Sequence, residues 1–242
     1  PRNCRVTDGR CGNSLGWHWH RGIMMLDNLS ADQNTADRTL APGAGPVEYA
    51  ILYLPDCAQD WDLVVEYLRL RKEVFIDRKT WPLYEHGGIE FEQYDAMDTV
   101  YVVAHRNRHV VGGARLRRTD KRTGNGALTY TYMIRDACLG RLPGMPTDLC
   151  YQDPPVGDDV WEITRMAVES EAGVARGLLD TAYEFLQTKG ARQCLLLGSP
   201  AFLRMARMSG WKAEPMGPVS GNHDGRFIAI SCDLTWRPAP AC

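Results

Sequence analysis

The sequence predicts an α/β layered domain built on a mixed, largely antiparallel sheet. Two observations carry this. Apolar β-rich runs alternate with stretches of helical periodicity, in the order strand, helix, two hairpin strands, strand, helix, strand, helix, strand. The runs Thr99–Ala104 and Val110–Leu116 are separated only by His105-Arg106-Asn107-Arg108-His109, a hairpin spacing. With 242 residues, 44% hydrophobic and 24% charged, the chain is long enough for one large domain or two small ones.

Residues 1–46 are rich in Gly, Asn, Asp and Arg and end in Ala41-Pro42-Gly43-Ala44-Gly45-Pro46. They read as a disordered N-terminal extension, followed by a single domain over 47–236 and a short tail, 237–242. Cys4, Cys11, His18 and His20 match no zinc spacing, so no metal is expected. Ala50–Leu54 reads as a strand. Trp61, Val64, Val65, Leu68 and Phe75 recur at helical spacing, which predicts an amphipathic helix over 60–77. Residues 120–159 are loop-rich, with one short helix near Met133–Leu139. Val160–Val168 is the next strand. The segment Gly173–Lys189 carries Val174, Leu178, Leu179, Ala182 and Leu186 on one helical face. Gln193–Leu197 reads as a strand, Pro200–Ser209 as a helix and Arg226–Cys232 as the final strand.

The net charge of -2 gives no global reason to expect nucleic acid or an anionic membrane as partner. No apolar run reaches the length of a membrane span, and no signal-peptide pattern opens the sequence, so a cytoplasmic location is expected. Eight scattered cysteines without a C-x-x-C pair read as reduced thiols.

Chemistry-bearing residues concentrate between Arg71 and Thr119 and again at 161–165. Arg71 shares a helical face with Leu68 and Phe75. It is read either as a snorkelling arginine or as a site residue. Glu90, Glu92 and Asp95 form an acidic cluster that is either a solvated loop or part of a site for a cationic substrate. In Trp161-Glu162-Ile163-Thr164-Arg165-Met166, strand alternation places Glu162 and Thr164 on one side and Arg165 on the other. The pattern breaks at Met166, where a bulge would repair it. Glu162 is a candidate general base if buried, and otherwise half of a structural pair with Arg165. Gly173-Val174-Ala175-Arg176-Gly177 reads as a turn and helix start, with a phosphate cradle as the weaker alternative. From Phe185 to Ala213 there is no acid, and the five bases Lys189, Arg192, Arg204, Arg207 and Lys212 form either a docking face or a solvated one.

Taken in order, these residues resemble the acyl-homoserine lactone synthases, the LuxI-type autoinducer synthases, over about residues 50–215. The shared pattern is Arg71-x-x-x-Phe75, Trp81, Glu90-x-Glu92-x-x-Asp95, Asp98-Thr99-Val100-Tyr101, Arg115-Leu116-x-x-Thr119, Trp161-Glu162-Ile163-Thr164-Arg165 and Ser209-Gly210-Trp211. The family usually has Asp where Glu92 stands and Pro where Arg118 stands. The loop after Thr119 is unusually long here.

The resemblance implies a fold like the GNAT N-acyltransferases: a twisted sheet with flanking helices and a cleft where two central strands splay. It implies S-adenosylmethionine (SAM) as a substrate rather than a cofactor, with an acyl thioester, usually on acyl carrier protein and otherwise on coenzyme A, as the other. On that basis Arg71, Phe75, Trp81, Glu92, Asp95 and Arg115 are expected on the SAM side, and Glu162, Thr164 and Arg165 at the chemistry. Phe75 and Trp81 are expected to face the sulfonium. Leu197, Gly198 and Ser199 are assigned to the acyl pocket, and the five bases of 189–212 to carrier docking. The other enzyme reading is a GNAT-like acyl-coenzyme A transferase acting on a different amine. A non-catalytic nucleotide- or carrier-binding domain is the third.

Overall fold

The structure is a computed structural model of the chain, and it describes residues 45–169, 173–208, 210–222 and 225–235. The expected extension up to residue 44, the tail 237–242 and Ser209 lie outside the described residues. In chain order the elements are β1 (Glu48–Leu52), α1 (Trp61–Arg71), β2 (Glu85–His86), β3 (Ile89–Glu90), β4 (Val100–Arg106), β5 (His109–Arg118), β6 (Thr123–Asn125) and β7 (Leu128–Tyr130). They continue with α2 (Met133–Cys138), β8 (Val160–Val168), α3 (Val174–Thr188), β9 (Gln193–Gly198), α4 (Pro200–Met208), β10 (Lys212–Pro215), β11 (Ser220–Asn222) and β12 (Gly225–Asp233).

The central sheet runs β1-β4-β5-β8-β9-β12-β10, with β11 paired to β12. Only β8 and β9 are parallel; the other pairings in this sheet are antiparallel. The parallel ladder runs from Val160↔Gln193 to Ile163↔Leu196 and ends there, although β8 continues to Val168 and β9 to Gly198. The two central strands therefore part company just before Thr164.

Strand alternation sorts the apolar residues onto two faces. Tyr101 and Val103 of β4, Leu195 and Leu197 of β9, and Phe227 and Ala229 of β12 join the core beneath α1 and α2. Val102, Cys194, Leu196, Ile228 and Ile230 join the core beneath α3 and α4. Two glycines let both layers close on β5. A Cβ at Gly113 would stand 2.5 Å from the Tyr67 ring of α1, and one at Gly112 would stand 2.8 Å from Val174 of α3.

Two segments differ from their sequence-based expectation. The helix expected over 60–77 is α-helical only to Arg71 and continues as a π-helical stretch, Lys72–Arg78. The wider turn breaks the 3.6-residue phase, and Val74 and Phe75 are both buried. Residues 120–158 hold α2 where a short helix was expected, and they add the β6–β7 hairpin, which was not; Leu142, Met145 and Leu149 enter the core under α2.

Candidate active site

Beside the strand parting, three arginines and three carboxylates come together out of water. Arg71 is fully buried on the inner face of α1, which rules out the snorkelling alternative. Its Nε donates to Glu90 Oε2 (2.5 Å), and its Nη1 and Nη2 donate to the two oxygens of Asp95 (2.7 and 3.0 Å). Arg115 of β5 donates from Nη2 to Glu92 Oε1 (2.6 Å) and from Nε to Thr164 Oγ1 (3.1 Å). Its Nη1 stands 3.2 Å from Asp95 Oδ1 but has no hydrogen-bond partner. Arg165 donates from Nη2 to Glu92 Oε2 (2.7 Å) and from Nε to Glu90 Oε1 (3.3 Å).

The acidic segment is fixed in place. The Glu92 N–H donates to Asp95 Oδ2 (2.9 Å), and the Thr99 hydroxyl donates to Tyr94 O (2.7 Å) while accepting from Ala96 N (3.1 Å). Burial pushes the Asp95 carboxyl up, but Arg71 and Arg115 outweigh it and hold the group well below the usual carboxylate range. Burial likewise opposes the charge on Arg71 and Arg115, and their carboxylate partners more than offset it. Three guanidiniums thus face three carboxyl groups, a balance of formal charge under which buried charge is tolerated.

Arg165 reaches this cluster because of a bulge. Gly113↔Ala167 and Arg115↔Thr164 are successive pairs in the β5–β8 ladder, so Ala114 faces both Arg165 and Met166. Arg165 carries φ 54° there. The expected alternation placed Arg165 opposite Glu162 and Thr164; the bulge instead turns its side chain toward the same layer as theirs. Its carbonyl is held by the Tyr67 hydroxyl at 2.5 Å.

Phe75 and Trp81 stack at 5.2 Å and 9°, and the Arg165 guanidinium lies 5.7 Å from the Phe75 ring. Phe75 is wholly buried, with the Arg165 guanidinium as the cation beside its ring.

Glu162 lies apart from the six-group cluster. Its Oε2 accepts the Met133 N–H and its Oε1 the Ile134 N–H, both at 2.9 Å. Tyr132, the residue before α2, makes no side-chain cap bond, so Glu162 caps that helix from across the sheet. Burial raises the carboxyl to about 7, and the two N–H donors pull it only part of the way back. A Glu162–Arg165 pair is not formed: Arg165 is turned to Glu90 and Glu92.

Leu197 faces the α2-side core, and Gly198 ends β9. Ser199 follows β9, and its Oγ accepts the Phe202 N–H at the start of α4 (3.2 Å). At the α3 start, a Cβ on Gly177 would collide with the Tyr49 hydroxyl oxygen at 2.0 Å. This explains the glycine by packing. The five bases do not form one unneutralised face. Arg192 lies 3.7 Å from Asp159, Arg207 lies 3.4 Å from Glu214, and Lys212 lies 2.9 Å from Asp233. Lys189 covers the rings of Tyr53 and Phe185. The stretch 185–213 lacks acids, but acids outside it fold back onto it.

Tyr67, Tyr94 and Tyr101 touch the cluster and were not among the expected site residues, whereas Glu90, expected only as a member of the acidic cluster, joins it directly. The spacing of Glu90 and Glu92 carried a signal, since both share a face when extended. The tyrosines carried none, being ordinary apolar-face positions. Among the described residues, no group of three or more His, Cys, Asp or Glu is placed to hold a metal ion, and no helix is long and apolar enough to cross a membrane.

Comparison with known proteins agrees with this geometry. The autoinducer synthase family profile matches residues 59–135. The acyl-homoserine-lactone synthase of Ralstonia solanacearum is 32% identical over 161 residues, covering 62% of this chain and 71% of that protein. The fold superposes on BjaI, a coenzyme A-dependent acyl-homoserine lactone synthase, with a TM-score of 0.64 at 22% identity, over 78% of this chain and 84% of that one. It also matches an acyl-CoA N-acyltransferase from Pseudomonas aeruginosa, with a TM-score of 0.50 at 16% identity, over 77% and 99% of the two chains. With its GNAT-like sheet, parted central strands and matched sequence, the chain belongs to the acyl-homoserine-lactone synthases, a family of acyltransferases that make quorum-sensing autoinducers.

Proposed function

We propose that the chain joins the amine of SAM to an acyl group carried as a thioester, then closes the lactone with release of methylthioadenosine. The observation that carries this reading is the balanced cluster of Arg71, Glu90, Glu92, Asp95, Arg115 and Arg165 beside the strand parting. A zwitterionic, sulfonium-bearing substrate needs fixed charges of both signs. Arg115 Nη1 is a buried donor without a hydrogen-bond partner and fits the substrate carboxylate.

In the acyl step the neutral amine attacks the thioester carbonyl, the C–N bond forms, and the C–S bond breaks to release the carrier thiol. The amine has an ordinary pKa of about 8, so a base near neutrality suffices. Glu162, at about 7, has the matching affinity for a proton and takes it directly or through water. Backbone N–H groups of β8 beyond Ile163, where its ladder with β9 has ended, are suited to the tetrahedral oxyanion. In the second step the substrate carboxylate attacks its own γ-carbon and displaces methylthioadenosine. This step asks mainly for a folded substrate, which a rigid charged frame provides. The arginines and acids hold and orient; Thr164 fixes Arg115 through its hydroxyl.

The donor is acyl carrier protein or acyl-coenzyme A. Arg204 and Arg207 on α4 are the bases best placed to favour the acidic carrier. Purified protein given SAM and a panel of acyl thioesters, on carrier and on coenzyme A, is expected to yield one lactone series by mass spectrometry with equimolar methylthioadenosine. Thiol release without methylthioadenosine would instead assign an ordinary N-acyltransferase.

A further inference from the structure

Tyr67 of α1 is wholly buried beside the charged cluster, and no step of the chemistry above uses it. Its hydroxyl donates to Arg165 O at 2.5 Å, 98 positions further along the chain. Burial pushes the phenol well above its usual pKa, so the proton of that bond stays in place. The ring is held on three sides. A Cβ at Gly113 would stand 2.5 Å from it, the Tyr101 ring meets it edge-on at 6.1 Å, and the Arg71 guanidinium lies 5.6 Å from its centroid. These contacts fix the ring and hence the place of the hydroxyl.

The same contacts fall on both strands of the bulge. On β5 the register shifts between Gly113 and Arg115, and on β8 the extra residue is accommodated at Arg165 and Met166. Arg165 has φ 54°, a region that residues with a Cβ rarely occupy and that persists only where the surroundings fix it. The peptide unit is planar, so pinning the Arg165 carbonyl oxygen fixes the whole Arg165–Met166 peptide. That in turn fixes the direction in which the Arg165 side chain leaves the strand. The guanidinium so directed takes Glu92 Oε2 at 2.7 Å, while Arg115 takes Glu92 Oε1 at 2.6 Å. A displaced Arg165 would therefore disturb Glu92, and through it Arg115, whose Nη1 is the buried donor without a hydrogen-bond partner.

We propose that Tyr67 is a positioning residue for the SAM half of the reaction: its hydroxyl holds Arg165 in the left-handed turn that lets Glu92 bridge Arg165 and Arg115. The effect on SAM rests on the proposed function; the placement of Arg165 by Tyr67 does not.

The test compares the wild type with Tyr67→Phe, which keeps the ring contacts with Gly113, Tyr101 and Arg71 and removes only the hydroxyl. KM for SAM, and its Kd by calorimetry without an acyl donor, are expected to rise roughly tenfold, the order of one lost hydrogen bond. KM for the acyl donor is expected to stay within about twofold of the wild type. Ile230→Val opens a small cavity in the core beneath α3 and α4, on the other face of the sheet, and serves as the control for lost stability alone. Its SAM constants are expected to match the wild type. Unchanged SAM constants in Tyr67→Phe, an equal rise for both substrates, or the same rise in Ile230→Val would overturn the role. Wild-type protein that binds no SAM would overturn the proposed function instead. Urea unfolding of Tyr67→Phe, Arg165→Met and the double variant then still decides the placement of Arg165. The stability lost with the hydroxyl is expected to shrink by about half or more when Arg165→Met is already present. An equal loss in both backgrounds would mean that the hydroxyl holds backbone alone, and would overturn the positioning.

Discussion

Glu162→Gln separates the two jobs that the structure gives one carboxylate. Burial lifts its pKa from 4.5 to about 7. The difference, 7 minus 4.5, corresponds at ~1.36 kcal/mol per unit to about 3 kcal/mol. The folded value lies above the unfolded one. The stabilising contribution is therefore complete below about pH 4.5 and is lost as the pH rises through about 7. Glutamine does not titrate. The stability of the wild type minus that of the variant should thus fall by about 3 kcal/mol between pH 5 and pH 8. This change is superposed on a constant penalty of roughly 1–3 kcal/mol, because the amide NH2 now confronts one of the two α2 donors. Denaturant unfolding at stepped pH, with the slope checked for constancy, reads the difference directly. A difference that stays flat across that window would refute the buried, titrating carboxylate. The matching kinetic arm is the pH profile of kcat/KM. A rising limb near pH 7 in the wild type that vanishes in the variant identifies the base; a limb that survives leaves Glu162 as a helix cap only.

Three further outcomes follow from the same geometry. Arg71→Met should cost about 3–5 kcal/mol by urea unfolding, since it strands Glu90 and Asp95, and Arg71→Lys should recover little because the bonds require a planar fork. In the Met variant Asp95 loses a cation that depresses its pKa, a stabilisation present above about pH 4 and lost on acidification, so acid unfolding should begin at higher pH. Gly113→Ala should lower thermal stability by about 1–3 kcal/mol through its clash with the Tyr67 ring, and an unchanged melting temperature would contradict the close approach. Charge reversal at Arg204 and Arg207 should raise KM for a carrier-protein donor more than for a coenzyme A donor. Most of that effect should come from Arg204, because Arg207 is already engaged by Glu214 and Ala213 O.

How far the sequence reveals this site depends on the range of each interaction. The order of the main strands and helices along the chain and the helical face that Arg71 shares with Leu68 and Phe75 follow from local periodicity; that Arg71 enters the core rather than snorkels depends on Glu90 and Asp95, which meet it from 19 and 24 positions away. The bulge was legible as a fault in alternation at Met166, but its effect was not. Whether the extra residue turns Arg165 toward the acids or away depends on its φ of 54°, which the partner strand imposes. The capping of α2 by Glu162 joins residues separated by 28 and 29 positions, and no local pattern encodes it. The acid-free stretch 185–213 shows the same limit in reverse: Asp159, Glu214 and Asp233 pair with Arg192, Arg207 and Lys212 from outside the stretch in which the bases were counted.

The six-group cluster also explains why the family pattern is made of charges at all. An apolar plug of the same volume could hold α1, the 90–95 segment, β5 and β8 together as firmly, since exchanging a buried ion network for hydrophobic packing is often neutral or stabilising. What a plug cannot do is fix donors and acceptors of both signs at the parting of β8 and β9. Each arginine here bridges two elements: Arg71 joins α1 to the acidic segment, Arg115 joins β5 to that segment and to Thr164, and Arg165 joins the bulge to Glu90 and Glu92. The longer reach of Glu92, compared with the aspartate usual in the family, lets one carboxylate take Arg115 on one oxygen and Arg165 on the other. Shortening it by Glu92→Asp should weaken one of those two bonds while leaving the Arg71–Asp95 fork intact. A SAM affinity that drops while stability changes by less than about 1 kcal/mol would mark the cluster as a substrate frame first and a structural brace second.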